Sequence, residues 1–389
     1  MGGSITPRQD ALKYRKFGSL EWDASVLGLG ASSFLFACQD PASFDPTASI
    51  ERIRYAIDRG VNYLDLGYPY DLKRHERIAR MLGDALQDGY HEKVRISVTL
   101  PSHLMHTAED FEFYLNKQLG WLDTDKTDFC LLGRLHRETW PSLQQLGALA
   151  WADEALRCRR IDSIGFSFHD HFQIFKLILA AYDRWDFCQF QFSYMDVNHD
   201  PGISGIKFAA EKGLAVVVDE PLRCGRLAKM PPPSIAGIWK EAGGLERLAE
   251  FGLRSIWSYP EVSTVVCDLR SLHEIEEAVV LAGQANPDSM TIQEEILISR
   301  VRDEYLKLGR IPCASCRPCM PCPEGIDVPR IFELYNDAFI YEDVETARAI
   351  YRSELHDVGS CTQCRLCEVR CVKKLAITDF LDQVRRLFD

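Results

Sequence analysis

Eight short apolar runs of β-forming residues recur between residues 25 and 267, and this repetition constrains the fold more than any other feature. They are SVLGLG (25–30), VNYLDLG (61–67), VRISVT (94–99), DFCLLG (128–133), DSIGFSF (162–168), FCQFQF (187–192), LAVVVD (214–219) and STVVC (263–267). Between them lie amphipathic stretches with helical spacing, such as ASIERIRYAIDRG (48–60), HERIARMLGDALQDG (75–89) and HFQIFKLILAAYDRW (171–185). A strand apolar along its whole length is buried on both faces, and parallel strands joined through helices meet that condition. Eight such units in a row predict a closed (β/α)8 TIM barrel rather than an open doubly wound sheet. The glycines agree: GLGASS (28–33) has Ser33 where a dinucleotide fingerprint needs its third Gly, which disfavours a Rossmann start.

The pattern breaks near residue 290. Thr291 to Gly309 carries apolar residues at helical spacing and ends in Gly, as a closing barrel helix would. Then comes the Pro- and Cys-rich IPCASCRPCMPCPEGIDVP (311–329), helical material to about Leu355, a second Cys run and a last helix. We therefore expect a barrel over 1–290 and a small, mainly helical domain over 291–389.

Cysteine is distributed unevenly. Six of the 14 (Cys38, Cys130, Cys158, Cys188, Cys224, Cys267) stand singly in the first 312 residues, and those in settings such as DFCLL and DFCQF read as small buried hydrophobes. The other eight crowd into the last 77 residues as Cys313-x2-Cys316-x2-Cys319-x2-Cys322-Pro323 and Cys361-x2-Cys364-x2-Cys367-x3-Cys371. The second run has bacterial ferredoxin spacing, with Val372 in place of the usual Pro; the first is one residue shorter before its fourth Cys. Three close cysteines fold around one four-iron cubane, and in two-cluster ferredoxins the fourth thiolate comes from the other run. By that rule Cys313, Cys316, Cys319 and Cys371 hold one [4Fe-4S] cluster, and Cys361, Cys364, Cys367 and Cys322 hold the other. Zinc also takes thiolates, but its sites use paired cysteines rather than triplets with a distant fourth. Disulfides are disfavoured by a reducing compartment.

That compartment is itself an expectation. The opening MGGSITPRQD has no apolar signal core, and no run of about 18 apolar residues is present. We expect a cytoplasmic protein with no membrane span. Lys and Arg total 45 against 57 Asp and Glu, a net charge of −12, so the basic footprint of a nucleic-acid binder is missing.

VNYLDLGYPY (61–70), GFSFHD (165–170), WDFCQFQFSYMD (185–196), DEPLRCGRL (219–227) and PCASCRPCMPCPEGIDVPRIFELYN (312–336) together resemble the ferredoxin-tailed branch of the aldo-keto reductases. The resemblance spans nearly the whole chain from about residue 14. It implies a (β/α)8 barrel, NADP(H) chemistry, and four catalytic residues at strand ends. In that family a Tyr protonates the carbonyl, an Asp and a Lys lower its pKa, and a His orients the substrate. Asp65 matches the family Asp and Tyr70 the Tyr. The Lys position at the end of the third run is Thr99, and the His position at the end of the fourth is Gly133, with His136 three residues further on. A Tyr titrates near pH 10, so without an adjacent ammonium Tyr70 is a poor acid–base group at neutral pH.

The resemblance also assigns Ser167 and Gln189 to the carboxamide of a nicotinamide. At the phosphate end VVCDLRSLHEIEEA replaces the family's Ser and Gly with Cys267 and Asp268, and its adenine-side Asn with Ala278. A carboxylate beside a phosphate costs Coulomb energy, which Arg270 offsets in part, so these residues argue against NADP(H). His169-Asp170-His171 reads as a loop or cap element rather than a metal pair.

The function these features imply is an iron–sulphur oxidoreductase on an aldo-keto reductase barrel with a degenerate tetrad. It would relay electrons through two [4Fe-4S] clusters to or from a redox partner protein, with a small-molecule substrate also compatible. Two other readings stand beside it: an active NAD(P)H-dependent carbonyl reductase, and a non-catalytic assembly subunit whose clusters are structural.

Overall fold

The structure is a computed structural model that describes residues 12–32, 45–198 and 201–388. Cys38 lies outside them. The described strands are β1 (Tyr14–Lys16), β2 (Asp23–Ser25), β3 (Leu27–Gly30), β4 (Tyr63–Asp65), β5 (Arg95–Leu100), β6 (Thr127–Leu135), β7 (Ile161–Phe168), β8 (Phe187–Gln191), β9 (Ala215–Asp219) and β10 (Val262–Cys267). Strands β3 to β10 close into a barrel in the order β10-β3-β4-β5-β6-β7-β8-β9, every pair parallel. All eight apolar runs become its staves. Helices such as Pro46–Asp58 and Leu72–Ala85, begun by Asp45 and Asp71 side chains accepting from backbone N–H groups, connect them.

The hairpin β1–β2 has no counterpart in the sequence reading, because three-residue strands are too short to show periodicity. Its turn drives Phe17, fully buried, among Tyr63, Phe129 and Phe187 at ring-centroid distances of 5.7, 4.7 and 5.6 Å. These aromatics line the N-terminal ends of the strands, so the hairpin plugs that end of the barrel. Gly18 makes the turn possible: its φ is +56°, and a Cβ there would lie 2.7 Å from the Gly213 carbonyl oxygen. Arg15 locks the hairpin by donating to the carbonyls of Trp257, Tyr259 and Val262.

The chain divides into two compact units. One comprises residues 1–223 and 250–291; the other comprises 224–249 together with 292–389. The helix Ile292–Leu306 therefore belongs with the second unit, where it packs on the helix Pro233–Glu241. The rest of that unit is helical: Val328–Ile340, Val344–Ser353, Leu366–Arg370 and Ile377–Phe388. Its core is Phe332, Leu334, Tyr335, Ile350, Tyr351, Leu381, Val384 and Phe388.

A buried ion pair ties the interleaved segment 224–249 into this core. Arg226 contacts Asp337 at 2.8 Å, with side chains 2% and 5% exposed, and its guanidinium lies 4.7 Å above the Tyr341 ring. Removing one member leaves the other charged, buried and without its ion-pair partner. Asp337→Ala should destabilise the second unit by about 3–5 kcal/mol. A urea titration followed by helical circular dichroism reads this, and an unmoved midpoint would contradict it.

Candidate functional site

Two places collect chemistry-bearing side chains, one in each unit. In the barrel they stand at the C-terminal strand ends, where such barrels carry their sites. Asp65 ends β4, Thr99 and Gly133 lie near the ends of β5 and β6, and Ser167 and Gln189 are register partners on β7 and β8. Gln189 Nε2 donates to Asp65 Oδ2 at 3.1 Å, while Asp65 Oδ1 and Gln189 Oε1, both buried, have no hydrogen-bond partner among the described residues. Ser167 Oγ accepts from the Arg134 backbone N–H at 2.7 Å. The structure thus brings Asp65 and Gln189 together, with Ser167 beside Gln189 in register.

Burial pushes the Asp65 carboxyl up to about 6, with the Gln189 hydrogen bond pulling the other way. Because the folded value exceeds the unfolded one, this group's stabilisation is complete below about pH 4 and is lost as pH rises through about 6. Asp65→Asn should leave stability at pH 4 nearly unchanged and raise it by up to about 3 kcal/mol at pH 8. An asparagine amide there also supplies a donor for Gln189 Oε1. Thermal melts of both proteins across that pH range test the sign; a variant less stable at pH 8 would refute it.

Gly133 stands where the resemblance implies a histidine, and its surroundings leave no room for a side chain. A Cβ at Gly133 would collide with the Leu100 carbonyl oxygen and lie 2.5 Å from Tyr68 Cε2 and 2.8 Å from Thr99 Cγ2, so backbone and the Tyr68 ring together fill the space of a larger residue. Tyr68 in turn bonds His103 Nδ1 at 2.7 Å and Ser102 Oγ at 3.2 Å. Tyr70 packs edge-on against Tyr68 at 4.6 Å, and the Arg134 guanidinium lies 5.1 Å from the Tyr70 centroid. His136 turns to Glu138, with Nδ1 and Oε2 2.5 Å apart. Tyr68, His103 and Arg134 were missed because no spacing along the chain links the segments after β4 and β5 with the end of β6.

At the eighth stave Asp268 follows β10, and its Oδ1 occupies the space above Gly30, 2.6 Å from where a Cβ would stand. Partial burial, with Glu220 and Asp65 nearby, pushes this carboxyl up to about 7 against the pull of Arg270. Asp219 at the end of β9 is raised as well, first by burial and then by Glu220, Asp65 and Asp268. Arg270 gives its backbone N–H to Glu274, which also completes a capping box with Ser271. Asp170 is fully buried and paired with Arg137 at 2.5 Å, in keeping with the structural reading of His169-Asp170-His171.

In the second unit the eight clustered cysteines ring two cavities. Cys313, Cys316, Cys319 and Cys371 line one, with Phe332 and Ile377 in its wall. Cys322, Cys361, Cys364 and Cys367 line the other beside Ile326 and Leu381, and Cys319 borders both. Each cavity takes its fourth cysteine from the other run. The two runs also fold alike: Ser315 and Arg317 flank Cys316 with φ of +49° and +63°, and Gln363 and Arg365 flank Cys364 with +54° and +57°. Left-handed residues of this kind cost roughly 1–2 kcal/mol each and persist only where their surroundings demand them. Backbone N–H groups of Ser315 and Leu375 already point at Cys313 and Cys371 sulphurs, at 3.4 Å each. Among the described residues, no three His, Cys, Asp or Glu side chains converge on one point that a single metal ion would fill.

Of the solitary cysteines, Cys130, Cys188 and Cys267 are buried, and burial raises each thiol; Cys158 is exposed. Among the described residues, no helix is long and apolar enough to cross a membrane.

Comparison with known proteins places the barrel. In solved structures the chain is similar to the aldo-keto reductase AKR11C1 from Bacillus halodurans in its holo form, at 20% identity, covering 75% of this chain and 96% of that one, with a TM-score of 0.58. It is likewise similar to the thermostable aldo-keto reductase Tm1743 in complex with the inhibitor epalrestat, at 22% identity, covering 75% and 100%, with a TM-score of 0.58. No curated protein matches the chain. The aldo/keto reductase family model matches residues 26–236, more than half of the chain. On that match, the chain belongs to the aldo/keto reductase family.

Proposed function

We propose that this protein is an iron–sulphur oxidoreductase whose C-terminal unit holds two [4Fe-4S] clusters and whose barrel has given up the family's usual hydride chemistry. The observation that carries the reading is the cross-run grouping of cysteines: Cys371 joins the cavity of the first run, and Cys322 that of the second. A cubane spreads its four thiolates over four irons, so it asks for a ringed cavity, whereas zinc asks for sulphurs about 2.3 Å from one point. The donor set fits on chemistry as well as number. The backbone N–H groups of Ser315 and Leu375 donate to the Cys313 and Cys371 sulphurs, the kind of N–H contact that stabilises anionic sites such as iron–sulphur clusters. Arg365 borders one cavity and Lys373 the other, where each offsets negative charge. Val328, Phe332, Ile377 and Leu381 give the cavities apolar walls. When bound, such clusters take up and release electrons singly.

In the barrel, the fit to NADP(H) is poor. Asp268 places a carboxylate over Gly30 at the expected phosphate end, and Gln189 is bonded to Asp65. The test is an anaerobic redox titration of the intact protein with dithionite, followed by visible absorption and electron paramagnetic resonance. Reversible bleaching supports electron transfer. Clusters that never change oxidation state would favour the structural-subunit reading.

One observation favours a second reading. The Arg134 guanidinium over the Tyr70 ring puts a cation beside the phenol, where the family uses Lys. An NAD(P)H-dependent carbonyl reductase with Arg134 in that role would show turnover that Tyr70→Phe abolishes.

A further inference from the structure

We infer that the helix Leu366–Arg370 and the turn after it form a docking surface for a small acidic electron-carrier protein; this rests on the cluster reading above. Three large apolar side chains stand in solvent there: Leu366 is 44% exposed, Val369 73% and Val372 70%. Apolar side chains grouped in one exposed segment mark contact sites more often than isolated ones do. Around them Arg365, Arg370, Lys373 and Lys374 are all exposed, and none forms an ion pair among the described residues.

The only carboxylate in this stretch is drawn inward. Glu368 accepts from the Thr378 backbone N–H at 2.9 Å and its hydroxyl at 2.7 Å. A cationic rim around an apolar centre is unusual in a chain whose net charge is −12. The complementary partner is anionic, because like charges at the rim repel and opposite ones steer encounter.

The location says what kind of acidic protein it would be. Arg365 and Leu366 line the cavity ringed by Cys322, Cys361, Cys364 and Cys367, and Lys373 lines the cavity that includes Cys371. Cys364 is itself exposed. A partner seated on this face rests against both cysteine cavities, and the electron it gives or takes is one that the chain takes or gives. A single-electron carrier, such as an acidic flavodoxin, meets both conditions.

The experiment measures binding of a fluorescently labelled acidic flavodoxin to the iron-loaded full chain, without oxygen, at increasing salt. Affinity should fall about tenfold or more between low and 0.3 M ionic strength. Lys373→Glu with Lys374→Glu should weaken binding about tenfold at low salt, and Val369→Ser with Val372→Ser should weaken it at all salt concentrations. Iron content and visible absorption report whether each variant keeps its clusters; if one does not, the salt titration of the unmodified chain still decides. Binding indifferent to salt and to both variants overturns the proposal, as does equal affinity for a basic cytochrome. Self-association of the chain abolished by the same variants would assign the face to a second copy, and also overturns it. A chain that binds no iron yet binds flavodoxin in a salt-dependent way would remove the cluster reading and leave the surface standing.

Discussion

Protein purified without oxygen should carry about eight irons and eight acid-labile sulphides per chain. The distribution matters more than the total. Cys371→Ser should cost the cluster of the Cys313 cavity and halve the iron, while leaving the signal of the other cluster. Cys322→Ser should do the opposite, although it sits in the first run. A within-run arrangement predicts the reverse for both variants, so the two substitutions separate the arrangements without any assay of activity. Zinc in place of iron, or loss of both clusters from either substitution with the fold intact, would end the cross-run reading. The physical basis is that each cavity draws its fourth sulphur from across the sequence, the second run's last cysteine closing the first run's cavity.

Carbonyl reduction with NADPH should be undetectable or very slow in the unmodified protein. The resemblance places the family's Lys and His at Thr99 and Gly133 and its phosphate-end Gly at Asp268. Loss of one positioned acid–base group typically costs about 10²–10⁴-fold, and two are absent before cofactor affinity is counted. Restoring Thr99→Lys, Gly133→His and Asp268→Gly should not suffice. A histidine at 133 would collide with the Leu100 carbonyl oxygen as well as with the Tyr68 ring, so Tyr68→Ala must accompany the other three to relieve at least the side-chain part of the clash. The four-residue variant should then exceed the three-residue variant in residual turnover. Robust turnover by the unmodified protein, abolished by Tyr70→Phe, would show that Arg134 does serve as the missing cation. Turnover indifferent to Tyr70 would point to different chemistry at the barrel mouth.

How legible these features were depends on how local their causes are. The barrel was plain because each stave is a continuous apolar run with a helix after it, and burial on both faces leaves that mark in a few residues. The hairpin β1–β2 was not, since its role comes from Phe17 meeting residues from three distant strands. The two cysteine runs were legible because their spacing is written along the chain, whereas which cysteines line which cavity is set by the fold. The interleaving of 224–249 with the C-terminal unit was invisible: it depends on Arg226 finding Asp337 more than a hundred residues away.

In the barrel mouth the division is sharper. The sequence alone determined which acid–base groups are present and which are lost, because a Thr or a Gly cannot supply an ammonium or an imidazole wherever it is placed. Only the tertiary structure decided what replaced them. Tyr68 takes the emptied space, Arg134 reaches the Tyr70 ring, and Asp268 covers Gly30. Each of these contacts joins residues from separate staves or the loops that follow them, and closing the barrel brings together groups that no local pattern connects.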